Sequence, residues 1–472
     1  MRLFTSILLL LILNSTSVFA MNLDWGGGYR FEWTQLNKPS LGDPPESKAY
    51  GLNYLYLTPK IVASDGFDIV SRFDVLNSQD PAYQNSQVGQ IWGAGLPAST
   101  TTDGSRRNAT TRTQNTSSVQ VSQLYLRAQQ EYGSLLVGRV PLQFGLGITH
   151  NAGNGMWDHW YNTHDLVAYK FIIGNISITP MIGRVYDADY GQSNSMQDEI
   201  IEFNYEAPES NSILGIMMER RKGTVGVNDM DPTRILQAPM TGTVASDLST
   251  QRTNFMLGKS WSSFGFKLEG SFMQGDTGIQ TTNGEWVKMT GYGIASEFYF
   301  PNPESKWQWS LRAGMATGDD PTTADYEGFQ FDRNYDVAFM LFNHRLGRAD
   351  FLTTNLIKDQ STGRTVSNSV DDEAIGNAMY VSPYVKYAWN DKWDVNQALT
   401  WAQTQTNPTN ATDFKRDLGW EYDVEVVYKP REKVNWSNRL GAFLPGAAFE
   451  NGSNKFSTDA TYGFESKIAI SF

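Results

Sequence analysis

The chain is 472 residues long, contains no cysteine and carries a formal net charge of -12. The charge argues against nucleic acid as a partner, and the missing thiols exclude disulfides, thiol catalysis and cysteine-based metal sites. Length alone would allow two or three soluble domains, but no linker, low-complexity block or shift in composition divides the chain.

The first residues, MRLFTSILLLLILNSTSVFA, place Arg2 before an apolar core from Leu3 to Leu13, with Val18 and Ala20 at the recognition positions for a cut after Ala20. This pattern predicts a cleaved secretory signal over 1–20 and a mature chain from Met21. No later stretch approaches the roughly 20 apolar residues of a membrane helix.

From Leu23 onward one unit recurs: about ten residues of alternation, a tight turn, ten more, then a longer polar loop. LDWGGGYRFEW (23–33) opens the series. FDIVSRFDV (67–75) sets Phe67, Ile69, Phe73 and Val75 against Asp68, Arg72 and Asp74. FGFKLEGSF (264–272), WQWSLRAGM (307–315) and LGWEYDVEVVY (418–428) repeat the pattern. The chain ends on ESKIAISF, with Phe464, Ser466, Ile468, Ile470 and Phe472 on one parity and Glu465, Lys467, Ala469 and Ser471 on the other. Short connections at 64–67, 131–134, 173–176, 207–211, 262–265, 300–306, 390–393 and 429–433 alternate with long ones. The long ones are 37–48, 77–117, 145–163, 187–197, 221–250, 275–284, 317–371, 404–417 and 446–459.

This arrangement predicts about 18 antiparallel strands, or sixteen if two real strands have been split, closed into an all-β transmembrane barrel. Strands near ten residues exceed the five or six usual in soluble sheets. In hydrocarbon every backbone polar group must be paired, and only a closed sheet has no open edge. The parity predicts every long loop on the outer side and every short turn on the periplasmic side of a Gram-negative outer membrane. Residues 21–472 then form one barrel, with 317–371 as an inserted outer loop. Trp25, Trp33, Trp389, Trp393, Tyr422 and Phe472 are candidate membrane-interface aromatics, in contact with lipid and lipopolysaccharide.

If the apolar parity faces lipid, the other parity lines the interior. Its basic candidates are Arg30, Arg72, Arg127, Arg139, Arg312, Lys386 and Arg439, together with Lys170, Lys267 and Lys467. Its acidic candidates are Glu32, Asp68, Asp74, Glu202, Glu269, Asp394, Glu421, Asp423, Glu425 and Glu465. Such charges either pair across strands and stiffen the wall or set a field across a constriction. Glu421, Asp423 and Glu425, three like charges on one strand face, have the best claim to a local field. Arg139 and Arg312 are the best basic counterparts. Within loop 317–371, the apolar segment DVAFMLFNHRLG (336–347) would be a liability in water. It is expected either to fold into the barrel mouth or to extend the barrel as an outer hairpin.

Two runs resemble a known family. In LLVGRVPLQFGLG…W…HDLVAYKF (135–171) the matching residues are Gly138, Arg139, Gly145, Gly147, Trp157 or Trp160, and Asp165. In MATGDD…FQFDRNYD (315–336) they are Gly318, Asp319, Phe331 and Asp332. They resemble the alginate-export-like barrels among the 18-stranded outer-membrane porins. The resemblance implies that barrel and a transport role. The terminal aromatic strand likewise resembles the C-terminal signature read by the barrel-insertion machinery. The polyanion exporters of the family line their pore with an arginine-rich patch, and the balanced charges here depart from it.

An enzyme is the rival class. THNAGNG (149–155) resembles the His-x-Ser-Asn-Gly motif of outer-membrane phospholipases, but Ala152 stands where the nucleophile would be. His150 and His159 are nine apart, not a helical metal pair. No catalytic residue, metal or cofactor is expected. A strand beginning just after the signal leaves no room for the plug of a TonB-dependent receptor. The expected role is passive diffusion of small hydrophilic solutes through a mixed-charge lumen. A surface structural or adhesive barrel and an exporter of acidic polysaccharide are the alternatives.

Overall fold

The computed structural model describes residues 22–39, 41, 47–75, 90–92, 119–187, 195–224, 242–344, 346, 374–407, 412–450 and 459–472. The expected signal over 1–20 lies outside them, as do most of the expected loops 77–117 and 221–250 and parts of 187–197, 317–371, 404–417 and 446–459.

Eighteen long strands follow one another around a closed antiparallel sheet. They are β1 (Gly27–Asn37), β2 (Lys48–Leu57), β3 (Phe67–Val75), β4 (Val119–Gln130), β5 (Gly133–Pro141) and β6 (Thr163–Ile173). Next come β7 (Ile176–Asp187), β8 (Ser195–Ala207), β9 (Ser212–Gly223), β10 (Leu248–Ser260), β11 (Gly265–Thr281) and β12 (Trp286–Phe300). The series ends with β13 (Trp307–Ala316), β14 (Ala378–Asn390), β15 (Trp393–Thr404), β16 (Asp417–Arg431), β17 (Val434–Pro445) and β18 (Thr461–Ser471). β18 pairs with β1 from Gly28↔Ser471 to Asn37↔Tyr462, and Gly27 and Phe472 exchange backbone hydrogen bonds of 3.2 and 3.0 Å. The last residue therefore closes the ring.

Short pieces extend this frame. Asn22–Asp24 and Lys60–Ser64 pair with each other and prolong β1 and β2 beyond breaks at Gly26 and Pro59. Pro59 has no N–H to give the ladder, and the Thr58 N–H donates to the Gly26 carbonyl at 2.8 Å across the interruption. Gly242–Val244 pairs with Thr281–Ile279 at the far end of β11. The segment 275–284, expected as a long loop, is mostly strand: β11 and β12 run on beyond their neighbours and turn tightly at 282–285. Its Gly, Thr and Asn content reads as loop, but paired neighbours on both sides of β11 supply the ladder.

Side chains alternate between the two faces because successive Cβ atoms of a strand point opposite ways. The outer face carries exposed apolar residues around the ring, among them Leu126, Val167, Ile182, Ile216, Phe255, Leu399 and Leu440. Aromatic pairs flank this belt near the short turns, as Trp393 on Tyr428 and Trp307 on Tyr387, with ring centroids 4.3 and 4.5 Å apart. Trp25, Trp389, Trp393 and Phe472 are exposed there, and Trp33 and Tyr422 also point outward. A continuous apolar band between aromatic girdles is the surface that a barrel presents to lipid.

Candidate functional site

The interior is not an open tube. Two loops that follow upward strands fold back into it: 142–162 after β5, and 317–344 after β13. The first was expected on the outer side, and its entry into the barrel is a correction. Leu142 and Phe144 pack on Val140, Leu166, Met181 and Met217 of the inner wall. Glu269 of β11 fixes the loop's turn by accepting the N–H groups of Gly147 and Ile148, at 2.9 and 3.2 Å, and the Thr149 hydroxyl at 3.2 Å. Further along, Arg30 donates to the carbonyls of Met156 and Asp158 at 3.1 and 2.7 Å, Arg72 to that of Gly153 at 2.7 Å, and His159 Nε2 lies 2.9 Å from Glu32. His150 is buried 3.5 Å from Glu219, and burial pushes its imidazole down to about 4. Ala152 is also buried.

The second loop brings the apolar segment inside, one of the two outcomes expected for it. Val337 to Phe342 are buried with Leu36, Tyr380, Phe443 and Phe449 in a hydrophobic cluster within the barrel. Its final residues Arg345 and Gly347 lie outside the described residues. Phe342 adopts a left-handed φ of 76°, a costly conformation for an aromatic residue, and the tight packing around its buried ring holds it. Small inward residues make room: Gly441 and Gly463 sit opposite each other on β17 and β18, and a Cβ on either would strike the Phe339 ring. Burial pushes the loop carboxyls Asp319 and Asp332 up to about 7 and about 6.

The two loops grip each other. Asn334 Oδ1 accepts the N–H groups of His159 and Trp160 at 3.1 and 3.0 Å, and its Nδ2 donates to the Trp160 carbonyl at 2.8 Å. Asn162 donates to Asp332 at 2.6 Å, and the Arg333 guanidinium lies 4.3 Å from the Trp160 ring centroid. Some of the residues that carried the family resemblance lie at this junction: Gly145 and Gly147 at the Glu269 turn, with Asp332 of the facing loop donating its N–H to the Ile148 carbonyl at 2.8 Å. Asn334 and Arg333 escaped the sequence reading, and His159 was weighed only as a metal ligand, because their partners lie more than 100 positions away.

The expected lumen residues divide. Arg127 forms an ion pair with Asp68. Lys386 lies 3.0 Å from Asp394, which Lys429 also approaches at 2.6 Å. Arg312 donates to the Asp336 carbonyl at 3.1 Å and sits 3.8 Å from Glu297. Arg439 lies 3.6 Å from Glu425. Glu421 and Asp423 do not stand as free charges. Glu421 accepts the N–H groups of Phe339, Met340 and Leu341, and Asp423 accepts that of Phe339 at 3.0 Å. A free three-carboxylate field is therefore corrected to a cradle for the inserted loop plus one ion pair.

Arg139 is a second correction. It shares the outward parity of Val137, is half exposed, and makes a bidentate pair with Asp165 on β6 at 2.8 and 2.9 Å. Among the described residues, cavities lie between the loops and the wall. One, of about 210 Å³, is bounded by Trp157, Val337, Phe339 and the inner faces of β13 to β18. Another, of about 300 Å³, lies by Arg252, Trp160 and Arg333.

A closed barrel with a lipid-facing belt belongs to the outer-membrane class of spanning proteins, and the fold here is that of the large porins. No family model matches the chain, and no curated relative does. Among solved structures, it is similar over 96% of its length and 98% of the other chain to Pseudomonas aeruginosa OccK2 (OpdF), crystallised with glucuronate, at 8% identity and a TM-score of 0.51. P. aeruginosa OpdQ gives 8% identity and 0.51, covering 95% and 98% of the two chains. A BenF-like porin of Pseudomonas fluorescens gives 10% identity and 0.50, covering 96% and 98%. The alginate-export-like resemblance rests on its motifs alone.

Proposed function

We propose that the chain is an outer-membrane channel for passive diffusion of small hydrophilic solutes, narrowed by two in-folded loops. One observation carries the reading: beside their apolar cluster, the loops leave polar, charge-lined cavities inside a closed barrel. Arg30, Arg72, Arg312, Arg439 and the carboxylates around them set the width and polarity of the path. A porin of the same fold has been crystallised with glucuronate, which supports a solute of that small size. The outer loops face the medium, the short turns face the periplasm, and the terminal strand is the element offered to the insertion machinery.

Planar-bilayer recording of the folded protein tests this. Discrete current steps, together with liposome swelling that falls steeply as sugar size increases, are expected. A barrel that inserts but passes neither ions nor sugars would leave a structural or adhesive role instead.

A further inference from the structure

The cavity of about 210 Å³ is framed by groups that accept hydrogen bonds and have none to accept. Asn343 and Asn396 are each more than nine-tenths buried and line it. Their amide nitrogens are committed: Asn396 Nδ2 donates to Glu425 at 2.7 Å and Asn343 Nδ2 to the Ala338 carbonyl at 2.8 Å. Those bonds fix which way each amide points. The Oδ1 atoms of both residues are then left without a hydrogen-bond partner, and so is Asp423 Oδ1 beside them. Buried acceptors left unpaired are costly, and three around one cavity ask for a ligand that donates.

The charges point the same way. Asp158, Asp336, Asp423, Glu425 and Glu465 line the cavity against the cations Arg312, Arg439 and Lys467. Each cation already has a partner: Arg439 has Glu425, Lys467 lies 2.9 Å from Glu465, and Arg312 donates to the Asp336 carbonyl. The lining therefore carries more carboxyl groups than cations, besides the unpaired acceptors. Among the described residues no group of three or more His, Cys, Asp or Glu could hold a metal ion.

We propose that this cavity is a binding station for small organic cations that carry N–H donors, guanidinium or a primary alkylammonium. The inference rests on the reading of the lumen as a solute path and names the class of solute that pauses there. An N–H donor would satisfy Asn343 and Asn396 together, while its charge faces the excess carboxyl groups.

Titration calorimetry on the detergent-folded barrel tests the station without any current being measured. Guanidinium and ethylammonium are expected to bind. Tetramethylammonium, with the same charge and no N–H, should bind at least about tenfold more weakly, the size of one charge-assisted hydrogen bond. Acetate should not bind. Asn396→Leu should weaken guanidinium by about tenfold, whereas Asn396→Gln, which keeps the acceptor, should retain most of the affinity; heat-modifiable gel migration confirms that both variants fold. Equal affinity for guanidinium and tetramethylammonium, a preference for acetate, or no binding by any probe would each overturn the proposal. Binding without conductance would remove only the channel reading, and conductance without binding only the station.

Discussion

The Glu421 carboxylate accepts the backbone N–H of Met340 at 2.6 Å, so a wall strand holds the inserted loop by its main chain. Phe339 and Leu341 give their N–H groups to the same carboxylate at 2.9 and 2.7 Å. Removing it in Glu421→Ala orphans buried donors at about 1–3 kcal/mol each. The loop should leave its seat. Single-channel conductance is expected to rise, and protease is expected to cut within 337–344. An unchanged conductance with a resistant loop would show that the carboxylate is not what holds it.

Phe339 and the glycine pair Gly441 and Gly463 fit as ring and notch. Gly463→Val should displace the ring and destabilise the folded barrel by about 1–3 kcal/mol. Phe339→Ala should cost a similar amount by opening a cavity. The two changes together should cost clearly less than their sum, because the second relieves the clash made by the first. Additive costs in a denaturant-unfolding cycle would refute the direct contact.

Arg139 faces away from the lumen, paired with Asp165. Arg139→Ala is therefore expected to leave the reversal potential in a salt gradient where it was. Arg312→Ala, on the inner face, should shift it towards cation preference. A shift with Arg139→Ala as large as that with Arg312→Ala would place Arg139 on the ion path.

Asp319 is buried beside Asp320 and Glu327, and its carboxyl is pushed up to about 7 by burial. A folded-state value above the unfolded one means that the folded loop holds the proton more tightly. Loop stability is then greatest below about pH 4, falls as pH rises towards 7, and is flat above it. Asp319→Asn should remove this loss, increasing hydrogen-exchange protection of 317–331 at pH 8 by on the order of 1–3 kcal/mol and changing little at pH 4. Equal protection of both proteins at pH 8, after correction for intrinsic exchange, would count against a buried, protonated Asp319.

The barrel was legible because lipid enforces a strict alternation on its outer face. The terminal ESKIAISF shows it: Phe464, Ile468, Ile470 and Phe472 point out and Glu465 and Lys467 point in. The inward course of 336–347 was half legible, since an apolar run needs cover but does not say which cover. Loop 142–162 was not legible. It is glycine-rich and polar, and its anchors Glu32, Glu219 and Glu269 lie far along the chain. The same loop explains the misreading of Arg139. In LLVGRVP both parities are apolar, because the inner face of β5 packs on Leu142 and Phe144 and not on water. Where a loop fills the lumen, the alternation that separates lipid from solvent loses its contrast.

The apolar cluster around Phe339 joins Leu36 of β1 to the last strands, and Phe339 itself lies against β18. On the other loop, His159 holds Glu32 of β1, and Trp157 lies beneath Lys467 of β18, 5.2 Å from nitrogen to ring centre. Both loops therefore straddle the seam where the first and last strands meet. They act as a clasp fastened from within. The seam's backbone ladder can be zipped by pairing alone, but the clasp has no complete seat until β1 and β18 are side by side. A ring still open at that joint would leave both loops held on one side only and part of the greasy cluster uncovered, so closing the barrel also completes the seating of its loops.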